Sequence, residues 1–194
     1  MYTTTKEGRR DIQFLEYLEW KYDCNFLQSV SNETEHCCGY AATTQKEIFH
    51  ILDKCHVLPT YKDAMFDFGC GKGAALVSFL DYGFSKVGGV EYDAQICDVL
   101  EDNITRLGLR HDYEISVYHQ NAVTIDTELD AYNWFYFFQP FDRVVLQKCI
   151  EALQCSLERN LRKIHIIYRN PYDTDLFIST RMLYVVNQFT CPCR

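Results

Sequence analysis

The sequence predicts an α/β protein with a Rossmann-like, doubly wound and mostly parallel sheet that carries an N-terminal helical cover. Two observations predict this class. From residue 64 onward, short apolar runs of strand length alternate with amphipathic segments of helix length, the pattern of strands joined by crossover helices. Before residue 60, apolar residues recur at helical spacing. We therefore expect a helical cover over residues 1–60 and a Rossmann-like domain over residues 61–194.

The N-terminal part contains two candidate helices. The first lies within residues 10–30, whose helically spaced apolar residues are Ile12, Leu15, Leu18 and Tyr22. The second runs from Thr44 to Cys55, and Thr44 and Glu47 have the spacing of a capping box. Residues 31–39 between them are polar and small and indicate a loop.

Five candidate strands follow, separated by candidate helices and loops. The strands are expected at Ala64–Phe68, Lys86–Val90, Glu114–Tyr118, Trp134–Phe138 and Ile164–Tyr168. The helices are expected at Ala74–Leu80, at about Ala94–Leu107, and from Leu146 to Leu161, where apolar residues recur every three or four positions. The last apolar run, Met182–Phe189, is expected to add an edge strand.

Composition excludes several functional classes. The 194 residues include 19 Lys and Arg against 27 Asp and Glu, a formal net charge of −8 at pH 7. Such an acidic chain lacks the basic surface of a general nucleic-acid binder, so nucleic acid is not an expected partner. The longest aromatic run, Trp134–Phe138, is far shorter than the roughly 20 residues that span a bilayer, and the N-terminal residues lack a signal-peptide pattern. We expect a cytoplasmic protein without a membrane partner.

The motif that points to a chemistry is Phe-Asp-Phe-Gly-Cys-Gly-Lys-Gly-Ala at residues 66–74, which ends the first strand and opens a helix. Glycines allow a tight turn and a close approach of a ligand to the backbone, and the helix N-terminus behind them offers free N–H groups. Glu91 follows at the tip of the second strand, where a carboxylate can accept both hydroxyls of a ribose. The combination predicts a nucleoside-type cofactor. Lys72, inside the loop, is expected to face solvent.

Two cofactors satisfy this pattern. Gly69, Gly71 and Ala74 match the dinucleotide fingerprint G-x-G-x-x-A, whereas Gly69, Gly71 and Gly73 match G-x-G-x-G. Asp67 stands where dinucleotide folds usually keep an apolar residue, and the roughly 100 residues after Glu91 are few for a separate substrate domain. An NAD-binding oxidoreductase-like domain stays an alternative.

With these residues in place, the chain resembles the class I S-adenosylmethionine-dependent methyltransferases. Residues 67–73 resemble their motif I, and residues 88–93 resemble the strand that carries the ribose-binding acid. Asn121 and Ala122 stand where the family usually has an Asp-Ala pair that contacts the adenine amino group. The resemblance covers residues 40–172. It implies S-adenosyl-L-methionine as the cofactor and a small-molecule or protein acceptor of the methyl group. A non-catalytic module on a methyltransferase fold stays an alternative.

A narrower similarity is to uncharacterised bacterial methyltransferases distantly related to the non-SET histone-lysine methyltransferases. Those proteins have Asn-Pro-Phe after the fourth strand, where this chain has Gln-Pro-Phe at residues 139–141. They also have a Gly-Tyr-x-Pro-Thr segment over the cofactor, which residues 39–43 resemble with alanine in place of the proline. This similarity implies that the N-terminal part covers the mouth of the cofactor site.

The motifs and the resemblance together assign a set of site residues. The expected cofactor-binding residues are Asp67, Phe68, Gly69, Cys70, Gly71, Gly73, Ala74, Glu91, Tyr92, Asn121, Ala122, Gln139, Pro140, Phe141, Tyr40 and Thr43. Asn170 and Tyr172, after the fifth strand, are expected to line the acceptor pocket, with Tyr40 and Phe141 as further aromatic candidates. No catalytic residue is assigned, because an activated methyl donor needs no protein nucleophile. His119 and His165 are expected to be strand histidines rather than bases.

The ten cysteines are expected to be mostly small core side chains. Their spacing is not that of a zinc site, so no metal is expected, and a cytosolic location disfavours disulfides. Cys70 is the exception: because it lies inside the glycine loop, we expect it to react with thiol reagents.

Overall fold

The structure is a computed structural model that describes residues 13–28, 42–139 and 141–190. In this part of the chain, five strands form a sheet: β1 (Ala64–Phe68), β2 (Lys86–Glu91), β3 (Glu114–His119), β4 (Trp134–Phe138) and β5 (His165–Arg169). The helices are α1 (Gln13–Tyr22), α2 (Gln45–Lys54), α3 (Ala74–Tyr82), α4 (Ala94–Arg106), α5 (Leu109–Asp112), α6 (Arg143–Arg159) and α7 (Thr174–Ser179). All five expected strands and the expected helices are therefore confirmed, with ends that differ by a few residues.

The strand order is β3-β2-β1-β4-β5, and every neighbouring pair is parallel. The chain first builds outward from β1 to β3 and then returns to the other side of β1 with β4 and β5. In open parallel sheets, ligands bind beyond the carboxyl ends of the strands, at the place where the strand order reverses. Here that place lies between β1 and β4.

Two apolar layers cover the sheet, because successive strand residues point to opposite faces. On one face, Phe66, Phe68 and Phe137 pack with Leu146 and other residues of α6 and α7. On the other face, the cluster combines strand residues with residues of α2, α3 and α4; its members include Met65, Val87, Tyr136, Ile51, Phe79 and Leu100. Helices on both faces confirm the doubly wound, Rossmann-like class.

The two N-terminal helices pack against this framework. The capping box of α2 is formed: the Thr44 N–H donates to Glu47 Oε2 at 3.2 Å, and the Glu47 N–H donates to Thr44 Oγ1 at 3.3 Å. Leu15 and Leu18 of α1 pack with Val77 of α3. The expected loop at residues 31–39 lies outside the described residues.

The expected edge strand at Met182–Phe189 is not formed. The segment has no strand conformation, and β5 is the last strand of the described sheet. Its end is held by α2 instead, because Asn187 Nδ2 donates to the Lys54 carbonyl at 2.9 Å and the Phe189 ring lies 6.1 Å from that of His50. Only the end of the apolar run thus packs on a helix, whereas Tyr184, Val185 and Val186 are exposed and pair with no strand.

The helices of the described residues are short. They range from 4 to 17 residues, and α6 is the longest. None of them is long and apolar enough to cross a membrane.

Candidate cofactor site at the glycine loop

The loop between β1 and α3 depends on its three glycines. Gly69, Gly71 and Gly73 have φ values of 82°, 54° and 87°, in the left-handed region that other residues rarely adopt. A Cβ at Gly73 would also lie 2.4 Å from Cδ1 of Leu100 on α4. The turn that opens α3 therefore requires glycine for its backbone conformation, and the narrow space beside Leu100 of α4 favours glycine as well.

The end of β2 holds this loop from one side. The N–H groups of Gly69 and Cys70 donate to the Val90 carbonyl at 2.9 and 3.1 Å. A Cβ at Gly89 would lie 2.5 Å from the Cβ of Cys70 and 3.3 Å from the carbonyl oxygen of Asp67. Glycine in β2 is thus what lets the loop approach the strand so closely.

Glu91, at the tip of β2, lies against the glycine loop as the sequence predicts. Its Oε2 accepts from the Gly71 N–H at 3.0 Å, and its Oε1 accepts from the N–H groups of Tyr92 and Asp93 at 2.8 and 2.9 Å. A carboxylate offers about four acceptor positions. One is left here, so accepting two ribose hydroxyls would require the release of one backbone N–H.

Asp67 occupies the middle of the site. It lies on β1 between Gly89 of β2 and Tyr136 of β4, and its exposed fraction is 3%. Burial in the low-dielectric interior, and secondarily the nearby charge of Glu91, raise the pKa of Asp67 to about 8. At pH 7 the carboxyl group is therefore largely protonated and can donate a hydrogen bond.

The carboxyl end of β3 brings Asn121 close to Glu91. The Gln120 N–H donates to the Glu91 carbonyl at 3.1 Å. The next residue, Asn121, is exposed and uses Oδ1 to accept from the Val123 N–H at 3.1 Å, which caps a short 3-10 turn at Ala122–Thr124. Gln120 Nε2 is buried and has no hydrogen-bond partner among the residues that the structure describes.

A second polar group, formed by Arg169, Glu47 and Thr43, lies beside β4 and β5 and was not predicted from the sequence. Arg169 forms a nearly buried ion pair with Glu47, donates to Thr43 Oγ1 at 3.4 Å, and lies over the Phe138 ring at 3.7 Å from its centroid. The buried Tyr136 hydroxyl has no hydrogen-bond partner in the described ranges, although Arg169 and Thr43 lie near enough to affect its pKa. The signal in the sequence was limited to a lone arginine after an apolar strand.

Two amide residues follow β4 and β5 in strained conformations. Gln139 and Asn170 have φ values of 40° and 49°, and the residues before them, Phe138 and Arg169, are partners in the sheet register. Left-handed conformations of residues other than glycine concentrate at functional sites. Because Phe138 and Arg169 are partners in the register, Gln139 and Asn170 stand side by side at the sheet edge where the acceptor was expected.

The other predicted site residues differ in burial and in the part of the fold to which they belong. Tyr92 and Tyr172 are exposed, Ala74 is the buried first residue of α3, and Phe141 packs against the cluster on the α6 side of the sheet. Phe68 is fully buried and stacks on Phe137 at 4.4 Å between ring centroids, so its side chain belongs to the core. Tyr40 and Pro140 lie outside the described residues.

Two expectations about the glycine loop are wrong. Cys70 is buried, and burial, followed by the charges of Asp67 and Glu91, raises the pKa of its thiol well above the usual value, which disfavours the reactive thiolate. Lys72 does not face solvent, because residues 24–28 cover it: its Nζ donates to Asn25 Oδ1 and to the Gln28 carbonyl, both at 2.7 Å.

A scan against protein-family models finds none that matches, and a search of curated proteins finds no significant match. Among solved structures, the chain is similar to the glycopeptide N-methyltransferase MtfA complexed with (S)-adenosyl-L-methionine, with a TM-score of 0.50 and 11% identity over 71% of this chain and 58% of that one. The methyltransferase domain of bacterial CtHen1 gives 0.45 and 22% identity over 56% of each chain. Geranyl diphosphate C-methyltransferase from Streptomyces coelicolor A3(2) gives 0.46 and 18% identity over 63% of this chain and 43% of that one.

All three structures are of methyltransferases, and the MtfA structure contains (S)-adenosyl-L-methionine. The chain spans about half the length of the neighbours it matches. At 11% identity, the likeness to MtfA shows that the protein shares the Rossmann-like α/β fold of that enzyme, and it shows the fold alone.

Proposed function

We propose that this protein is an S-adenosylmethionine-dependent methyltransferase that acts on a small-molecule or protein acceptor. The observation that carries the proposal is the hydrogen bond from the Gly71 N–H to Glu91 Oε2. It joins the acidic tip of β2 to the glycine loop after β1, the strand that borders the reversal of the strand order. The acid expected to bind the ribose and the loop whose backbone a ligand can approach thus belong to one site.

The residues present fit this cofactor. Gly69 is exposed, so a ligand can reach the loop backbone, and the protonated Asp67 can donate a hydrogen bond from the floor of the site. Glu91 has an acceptor position left for a ribose hydroxyl, and Asn121 with Ala122 would bind the adenine. When bound, the cofactor supplies a methyl group that its sulfonium has already activated.

The remaining work of the protein is alignment and exclusion of water. Gln139 and Asn170, at the tips of β4 and β5, would orient the acceptor, and Tyr172 would line its pocket. Thr43, held by Arg169, would close the site from the side of α2, and Phe141 would close it from the side of α6. No general base is assigned.

The acceptor class follows from charge and from the sequence similarity. A net charge of −8 disfavours a nucleic acid. The narrower similarity to relatives of the non-SET histone-lysine methyltransferases rests on residues 39–43, 66–73, 82–84 and 88–91 and on the tripeptide 139–141. It keeps both a protein side chain and a small molecule as candidates.

Calorimetric titration with S-adenosylhomocysteine and with NAD tests the cofactor. We expect the first to bind in the micromolar range and to raise the stability by about 2.7 kcal/mol at 100 times its dissociation constant. Gly71→Arg and Glu91→Ala should abolish this binding and the transfer of a labelled methyl group to fractions of a cell extract. Gly108→Arg is the matched control, because Gly108 also has a positive φ but is exposed and lies after α4.

The outcomes separate the three classes of function. Tight binding of NAD without a response to S-adenosylhomocysteine would favour the oxidoreductase-like alternative. Binding of neither compound would favour a non-catalytic module and contradict the proposal.

A further inference from the structure

Lys72 is a buried cation inside the proposed cofactor loop. Its exposed fraction is 1%, and its Nζ donates at 2.7 Å both to Asn25 Oδ1 and to the Gln28 carbonyl. Burying an ammonium is unfavourable unless it is well hydrogen-bonded, and burial accordingly lowers the pKa of Lys72, which the charge of Glu19 partly offsets. Because burial of an ammonium at this position costs free energy, the contact between the loop and residues 24–28 is expected to have a role.

A residue of α4 provides a second connection between the glycine loop and residues 24–28. Asn103 is buried, and its Nδ2 donates to the carbonyls of Lys72 and Asn25, both at 3.1 Å. Its Oδ1 accepts from the Asn25 N–H at 2.7 Å. The glycine loop, α4 and residues 24–28 are thus held by one network of hydrogen bonds around Asn25.

Residues 24–28 are themselves fixed on both sides. Glu19 of α1 accepts from the N–H groups of Phe26 and Leu27 at 2.6 and 2.7 Å. The Phe26 side chain is fully buried and packs in the cluster that contains Ala74 and Val77, in the first turns of α3. The segment therefore contacts both the loop and the helix that the loop opens.

We propose that Lys72 is a positioning residue: it holds the glycine loop in the conformation that binds the cofactor, by anchoring the loop to residues 24–28. Lys72 stands between Gly71, whose N–H is bonded to Glu91, and Gly73, which caps α3. A displacement of Lys72 therefore moves both Gly71 and Gly73. Because coupling between two binding equilibria is reciprocal, cofactor binding also strengthens the docking of residues 24–28. This inference rests on the proposed function.

Lys72→Met tests the inference, since it keeps an unbranched side chain as long as the aliphatic stem of lysine and removes the ammonium. We expect S-adenosylhomocysteine to bind this variant about tenfold more weakly, a loss of about 1.4 kcal/mol. In hydrogen exchange, the wild type should gain protection at residues 24–28 when S-adenosylhomocysteine is added, and Lys72→Met should lose most of that gain. Lys148→Met is the control, because Lys148 is exposed on α6 and bonds Glu151.

A second pair of variants covers the case in which Lys72→Met does not fold. Asn25→Leu removes the acceptor of the ammonium, whereas Asn25→Asp keeps an acceptor at the same atom. We expect Asn25→Leu to weaken binding and Asn25→Asp to retain it.

Unchanged affinity and unchanged ligand-dependent protection in Lys72→Met and Asn25→Leu would overturn the inference, even if both variants are less stable, because a purely structural contact would affect stability alone. Failure of the wild type to bind S-adenosylhomocysteine is a different result. It would overturn the proposed function and this inference with it.

Discussion

At the scale of single residues, Asp67 shows how position controls chemistry. It is an acidic residue in a buried strand, with the charged group of Glu91 nearby on β2 and the Tyr136 hydroxyl and the Cys70 thiol close to it. The pKa of Asp67 is about 8 in the folded protein, against about 3.9 in an unfolded chain. Between these two pH values, only the unfolded chain carries the ionised group.

This difference makes the stability depend on pH. Because the folded state binds the extra proton, the contribution of Asp67 to the free energy of unfolding falls as the pH rises from about 4 to about 8. Asp67→Asn cannot ionise. Without cofactor, it should therefore exceed the wild type in stability by an amount that grows over this range, by at most about 1.4 kcal/mol per pH unit, and levels off above pH 8.

Urea unfolding of both proteins at pH 5, 6.5 and 8 measures the trend. Asp98→Asn, at an exposed position of α4, is the control and should change the stability little at each pH. A stability difference for Asp67→Asn that does not vary with pH would contradict the raised pKa.

At the scale of elements, one carboxylate connects α2 to the sheet. Oε2 of Glu47 accepts from the Thr44 N–H in the capping box, while Oε1 pairs with Arg169 at the end of β5. The spacing of Thr44 and Glu47 predicted the cap, since that motif is local. The pairing with Arg169, 122 positions away, depends on how α2 packs over the strands.

Removal of Glu47 should be costly because Arg169 then stays nearly buried without its anion. The exposed fraction of the Glu47 side chain is 9%, against 63% for Glu114, which pairs with Lys86 at the surface. We expect Glu47→Ala to cost about 3–5 kcal/mol and the matched Glu114→Ala less than about 1 kcal/mol, as measured by urea unfolding. Equal losses would show that the Arg169 pair contributes no more than a surface pair.

Prediction of the elements succeeded where the signal was periodic and failed where it was not. The alternation of apolar runs and amphipathic segments predicted β1 to β5 and the long helix α6. The Met182–Phe189 run is apolar as well, but an apolar run alone does not determine whether its partner is a strand or a helix. Here its end packs on α2.

At the scale of the whole molecule, the described N-terminal helices share their apolar clusters with the sheet domain. Ile48, Ile51 and Leu52 of α2 belong to the cluster that contains Met65 and Tyr136 of the sheet. Such shared packing couples the stability of the two parts. We therefore propose that the expected division at residue 60 separates two parts of one cooperative unit.

The two tryptophans allow the cooperativity of unfolding to be measured. Trp20 is 81% exposed on α1, and Trp134 lies on β4. In Trp134→Phe, the fluorescence anisotropy of the remaining Trp20 reports on α1, because the emission wavelength of an indole that is already exposed changes little on unfolding; in Trp20→Phe, the fluorescence of Trp134 reports on the sheet. We expect each variant to show the same unfolding midpoint by fluorescence and by far-ultraviolet circular dichroism, as in a two-state transition. An earlier fluorescence midpoint in Trp134→Phe would show that α1 unfolds independently.

The candidate site was predictable only in part. The glycine loop and Glu91 follow from local requirements, namely positive φ at three positions and an acid at a strand tip, and the structure places them together. Lys72 was misjudged and Arg169 missed. Their partners, Asn25 and Glu47, come from distant parts of the chain, and no local pattern marks such pairs.

The sequence by itself determined the order of strands and helices, the glycine turn and the capping box, because periodicity and backbone conformation depend on neighbours along the chain. The tertiary structure alone decided the strand order β3-β2-β1-β4-β5, the burial of Cys70 and Lys72, and the pairing of Arg169 with Glu47. These features arise from contacts between residues far apart in sequence, which form only when the two apolar faces of the sheet are covered.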